Sequence, residues 1–188
     1  MHGTIPSEIG LLTEMDIIIM AEINHLTSTI PSEVGTMSSL RFFFAGNNQL
    51  TGSLPTEFGL LRDKRLSWIH VQDNFLTGSF PSFLLSNMTR IGELNLTRNL
   101  FTGSIPTEIG WMTNLYRLQL SHNSFTGSIP SEMWTGPRQW RILSLGGNPE
   151  LTGTIPDSLC YQAGNNTLEL EFDCTGHLCG CNCSCLVT

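Results

Sequence analysis

Residues 91–110 read "IGELNLTRNLFTGSIPTEIG", and the two halves of this stretch follow different rules. After Ile91, Leu94 and Leu96 alternate with polar residues, as expected of a short strand with one buried face. Asn99 stands where the chain must leave that strand, and an amide stacked inside a coil can both donate to and accept from neighbouring backbone. In "FTGSIP", Gly103 allows a tight backbone, while Pro106 fixes φ and ends strand pairing. The run after Pro106, "TEIGWMTNL", places Ile109, Met112 and Leu115 at helix-like spacing, turning them inward as the chain returns.

The phrase recurs. A Pro follows a bulky apolar residue at Pro6, Pro31, Pro55, Pro81, Pro106, Pro130 and Pro156, at intervals of 24–26 residues. Asn24, Asn48, Asn74, Asn99 and Asn123 each stand seven residues before the next of these prolines; Asn148 stands eight before Pro156, because "NPELTG" carries an extra residue. Self-similarity at a fixed period marks a solenoid. One such unit cannot bury its own apolar face, whereas stacked units share a continuous core. Two places fit the register poorly. "LLTEMDIIIMAEIN" sets Asp16 and Ala21 near apolar positions, and "LLRDKRLSW" has two extra residues, which predicts a bulge or loop near residues 62–65.

The pattern LxxLxLxxNxFTGSIPTEIG resembles the plant-type leucine-rich repeat of receptor-like kinases, receptor-like proteins and polygalacturonase inhibitors, over about residues 3–173. The resemblance implies an α/β solenoid, a right-handed leucine-rich-repeat superhelix. Its parallel β-sheet lines the concave side, a lateral strand forms at each "LTGxIP", and short 3-10 or helical segments form the convex side. It further implies a repeat array at 1–173 of about six repeats plus a final capping strand, and a cysteine-rich C-terminal cap at 174–188. That tail, with "CGCNCSC", is similar to the cysteine-rich ends of diatom leucine-rich-repeat proteins. The paired cysteines and Trp of the usual plant N-terminal cap are missing, and the chain opens inside the repeated phrase, so a piece of a longer array is expected.

Composition narrows the partners. Nine Lys+Arg against sixteen Asp+Glu give a formal charge of −7, which disfavours nucleic acid and anionic membrane surfaces, both of which need dense basic patches. No stretch approaches the roughly 20 apolar residues of a membrane-spanning helix; the longest, "IIIMA" at 17–21, suits a strand. The N-terminal residues lack the basic and apolar regions of a signal peptide.

In a stacked array the side chains free to vary are those on the exposed strand face. Counted back from each Asn, position −6 reads Ile18, Phe42, Trp68, Glu93, Arg117, Ile142, and position −4 reads Met20, Phe44, His70, Asn95, Gln119, Ser144. The N-terminal half is apolar and aromatic, the middle carries both charges, and the last strand, "TLELEF", is acidic. Exposed aromatics on a sheet are typical anchors for a partner. Phe42, Phe44, Trp68, His70, Glu93, Arg117 and Gln119 are therefore the candidate ligand-binding residues, for a protein, peptide or glycan.

No phosphate loop, HExxH or GxSxG is present, the five histidines are scattered over different repeats, and Glu8, Glu33, Glu57, Glu108 and Glu132, each two residues after a Pro, mark a solvated convex edge or helix N-terminus. No catalytic, metal or cofactor site is expected. All six cysteines, Cys160, Cys174, Cys179, Cys181, Cys183 and Cys185, fall in the last 29 residues. An even terminal cluster suggests disulfides in an oxidising compartment, with fifteen pairings open. The CxC spacing also suits a thiolate metal cluster, and "CLVT" is formally a prenylation box. Asn87 and Asn165 are the candidate glycosylation sites; the sequon at Asn95 falls on the concave column. The leading expectation is a non-enzymatic recognition module at the cell surface or outside the cell. The alternative is a structural, adhesion or ice-binding solenoid, presenting the recurring Thr51, Thr77, Thr102, Thr126 and Thr152.

Overall fold

The computed structural model describes residues 2–20, 24–61, 65–85, 89–135, 139–159 and 168–172. The chain winds through one strand of each of two sheets and one 3-10 turn per repeat. The first sheet holds β2 (Ile17–Ile19), β4 (Phe42–Phe44), β6 (Trp68–His70), β8 (Glu93–Asn95), β10 (Arg117–Gln119), β12 (Ile142–Ser144) and β14 (Glu169–Glu171). These strands are all parallel and stack in chain order. The central residue of each points inward, and Ile18, Phe43, Ile69, Leu94, Leu118 and Leu143 are buried as a row.

The "LTGxIP" phrases form the lateral strands. β5 (Thr51–Gly52), β7 (Phe75–Ser79), β9 (Leu100–Ser104), β11 (Ser124–Ser128) and β13 (Glu150–Thr152) make a parallel five-stranded sheet, and β1 (His2–Thr4) pairs with β3 (His25–Thr27) at the N-terminal end. The repeat prolines from Pro6 to Pro130 each open a 3-10 turn, whereas Pro156 opens an α-helical one: Pro106, at φ −76 and ψ 150, precedes Thr107–Trp111, and its carbonyl accepts from Ile109 N. Gly35, in the recurring "E[IVF]G", lies against the next repeat, where a Cβ would collide with the Glu57 backbone. Ile105, Ile109, Met112 and Leu115 all enter the single apolar core.

What closes each turn is the Asn. The Asn74 Oδ1 accepts from Leu50 N of the preceding repeat at 2.9 Å, and its Nδ2 donates to Ala45 O, Val71 O and Gln72 O. Asn48, Asn99, Asn123 and Asn148 repeat this arrangement, each accepting from the preceding repeat through Leu26, Leu76, Phe101 and Phe125. The residue before each of these asparagines adopts a left-handed backbone: Asn47, Asp73, Arg98 and His122 at φ 52 to 56, and Gly147 at φ 70. That conformation turns the strand out of the sheet and swings the following amide into the core.

The first repeat departs from the expected register. Ile17 pairs with Phe42 and Ile19 with Phe44, so Ile17 and Ile19 face outward. Ile18 is buried, and Met20 packs against the core. One more residue separates this strand from Asn24 than in the other repeats, and Asn24 is half-buried rather than enclosed. Residues 62–64, most of the expected loop, and the segment 173–188 with its cysteine-rich tail lie outside the described residues.

Replacing Asn74 with Ala removes one acceptor and three donations inside the core and leaves Leu50 N without its partner. The expected loss is about 3 kcal/mol of stability, read as a lower urea midpoint at unchanged slope.

Candidate functional site

The outward side chains of β4 and β6 form an aromatic wall. Phe42 and Trp68 lie with ring centroids 4.4 Å apart, Phe44 and His70 meet edge-on at 5.0 Å, and Trp68 and His70 stack at 6.3 Å. Phe43, between the two outward phenylalanines, is fully buried against Phe58. The Arg41 guanidinium covers Phe42 at 4.9 Å from the ring centroid, a cation–π contact on the rim of the wall. Ile17, 40% exposed, and Ile19, 65% exposed, continue the apolar surface onto β2; the sequence pattern had assigned Ile18 and Met20 to those places.

Glu93 requires a second correction. Expected as an outward charge, it is 4% exposed and lies at the centre of a cluster drawn from three strands. Arg117 Nη1 donates to its Oε2 at 2.8 Å, the Tyr116 hydroxyl donates to its Oε1 at 2.7 Å, and His70 Nε2 lies 3.1 Å from Oε2. With the proton on Nε2, His70 completes the shell as a third donor. A buried carboxylate requires such pairing, since desolvation penalises a lone charge by several kcal/mol. Tyr116, just before β10, was not among the expected site residues. It reaches Glu93 across Gly92, where a Cβ would fall 2.7 Å from Tyr116 Cε1.

Burial pushes His70 below its ordinary value of 6.5. Glu93 pulls the other way more weakly, through its charge and its hydrogen bond, and Arg117 adds to the fall. The carboxylate lies close, but its charge is already balanced by Arg117. Burial, then the hydrogen bond and charge of Glu93, push Tyr116 above its ordinary 10.0. At neutral pH the imidazole and the phenol of the cluster are therefore uncharged.

Gln119 and Asn95 face outward, half-buried, on the next strands, and Asn95 Oδ1 accepts from Thr97 N. At the far end Glu169 and Glu171 are exposed; Glu171 accepts from the buried Ser121 hydroxyl at 2.9 Å. The threonine row lies on the lateral sheet. Thr102 and Thr152 donate to the carbonyls of Gly78 and Gly127 in the preceding repeat, so part of the row is engaged in holding repeats together. Among the described residues no three His, Cys, Asp or Glu side chains could hold a metal ion. Cys160, Cys174, Cys179, Cys181, Cys183, Cys185, Asn87 and Asn165 all lie outside the described residues.

A group whose pKa falls on folding contributes stability above its unfolded value, and that contribution is lost as pH drops through the folded value. Between pH 7 and 5, the wild type should therefore lose more stability than His70→Gln, measured by urea denaturation at each pH. Gly92→Ala should displace the Tyr116 ring from Glu93. In a Tyr161→Phe background, the phenolate absorbance midpoint should then fall toward 10.0, the ordinary value.

Comparison with known proteins agrees with this geometry. The family model described as Leucine Rich Repeat matches residues 114–135. Receptor-like protein 39 of Arabidopsis thaliana is 39% identical over 110 residues, 57% of this chain and 12% of that protein. Receptor-like protein 18 of the same plant is 35% identical over 80 residues, 43% of this chain and 9% of its own length. The chain thus spans about a tenth of the length of these curated relatives. Among solved structures, PEPR1 bound to AtPEP1 superposes with a TM-score of 0.78 at 32% identity, covering 91% of this chain and 24% of that one. The plant peptide hormone receptor RGFR1 in complex with RGF2 gives 0.76 at 34%, covering 94% and 27%. A plant ice-binding protein shares the fold at 22% identity, with a TM-score of 0.71, covering 95% of this chain and 70% of that one. The chain has the fold of a leucine-rich-repeat solenoid and is similar to plant receptor-like proteins and plant receptor ectodomains.

Proposed function

We propose that this solenoid is a non-catalytic recognition module that binds a peptide, protein or glycan segment across the concave face of its seven-stranded sheet. The observation that carries the reading is the aromatic wall of Phe42, Phe44, Trp68 and His70, continued by Ile17 and Ile19. A contiguous apolar surface of this kind, edged by polar groups, is unusual on a face with no partner. Large rings held by their neighbours also bury much area at little entropic cost.

The complexes of PEPR1 with AtPEP1 and of RGFR1 with RGF2 support a peptide or protein as the partner class. With the receptor-like relatives, they support a location at the cell surface or outside the cell. Disulfides in the cysteine-rich tail and glycans at Asn87 and Asn165 belong to the same proposal. In this reading Phe44 and Trp68 anchor the ligand. Glu93 acts from beneath the surface by holding His70 and Arg117 in place, and Gln119 offers an adaptable amide beside them.

The test is a paired substitution, Phe44→Ala with Trp68→Ala. Both side chains face outward, so the far-UV spectrum should be unchanged while affinity for a partner recovered by the wild-type chain falls at least about 30-fold, the loss of one to two anchor residues. Unchanged affinity would place binding elsewhere on the solenoid.

A further inference from the structure

Resting on that reading, we infer that the occupant of the concave face is an extended peptide carrying an aromatic or bulky apolar side chain and, about five or six residues away, a Lys or Arg. The two ends of the sheet differ in chemistry. β2, β4 and β6 present Ile17, Ile19, Phe42, Phe44 and Trp68. At the other end, β14 presents two carboxylates on one face, Glu169 and Glu171, both exposed and neither with an ion-pair partner among the described residues.

Between these ends, among the described residues, the charges on the outward strand positions cancel; Arg141, just before β12, lies against the Tyr116 ring at 5.3 Å from its centroid. Arg117 is paired with Glu93 at 2.8 Å, and that carboxylate is further enclosed by Tyr116 and His70. The outward side chains of the middle strands therefore offer a ligand the amides of Asn95 and Gln119 but no net charge, while Ser144 is buried. Charge selection falls to the β14 end, where the face is negative, on a chain whose formal charge is −7. A cation is the complementary group there.

The spacing follows from the fold. β6 and β14 are separated by four strand intervals in the sheet order. At about 4.8 Å per interval this is roughly 19 Å, which an extended peptide at about 3.3 Å per residue crosses in about six residues. A peptide lying across the strands thus meets Trp68 with one side chain and the Glu169–Glu171 pair with another.

The experiment selects random twelve-residue peptides displayed on phage against the immobilised chain, then measures the enriched peptides in solution by anisotropy. Enriched sequences are expected to pair Phe, Trp, Leu or Ile with Lys or Arg at a separation of five or six. Their affinity should fall about fivefold in Glu169→Gln/Glu171→Gln, the scale of two solvent-facing ion pairs. It should also weaken with salt in the wild type but not in that variant. Gln can still accept from Ser121, so the variant keeps its fold, which its urea midpoint checks. Peptides that lose affinity in Phe44→Ala/Trp68→Ala but bind the Gln variant as tightly as the wild type would overturn the inference and leave concave recognition standing. Peptides indifferent to both variants would overturn both readings. Selection that enriches no common pattern would overturn the inference.

Discussion

A backbone that turns sharply inside an apolar core has to satisfy its own amides there, and in this chain that task falls to one side chain per repeat. Asn48, Asn74, Asn99, Asn123 and Asn148 each span two repeats, accepting from the backbone of the preceding one and donating to carbonyls of both. The apolar rows supply most of the driving force, but they are nondirectional. The amide ladder is what sets one repeat squarely upon the last. Without it the strands of the concave sheet have no reason to stay aligned residue for residue, and the columns on their outer face lose their meaning.

Those columns are where the chain ceases to repeat. Because Phe42, Trp68, Glu93 and Arg117 stand side by side in register, a residue's environment is set by its neighbours 23 to 26 positions away. Trp68 is held between Phe42 and His70. Glu93 is drawn beneath the surface because a histidine, a tyrosine and an arginine from adjacent strands close over it. The result is an aromatic wall of mutually packed rings beside a carboxylate paired with an arginine.

Much of the fold was legible in the primary structure. The Pro and Asn spacing exposes the period, and the outward positions from Phe42 onward follow by counting back from each Asn. The count failed at the first repeat. Three consecutive isoleucines, Ile17 to Ile19, conceal the alternation, and an extra residue before Asn24 shifts the strand; only pairing with β4 shows which isoleucine is inside. The burial of Glu93 was hidden for a different reason. It depends on the missing side chain at Gly92 and on Tyr116, which lies outside the counted columns. Neither is informative until the repeats are laid side by side. The same holds for the left-handed residues Asp73, Arg98 and His122, whose types would not single them out.

The direction of the amide ladder has an evolutionary consequence. Each repeat completes the hydrogen bonding of the one before it, always through the same atoms, so inserting or removing one whole unit leaves every remaining amide with an equivalent partner. Gain or loss of a single residue within a strand breaks the match. Sequence change in such a chain is channelled toward duplicating entire turns and then altering only the outward positions. The concave face can thus be lengthened or rewritten strip by strip without reopening the problem of how to fold.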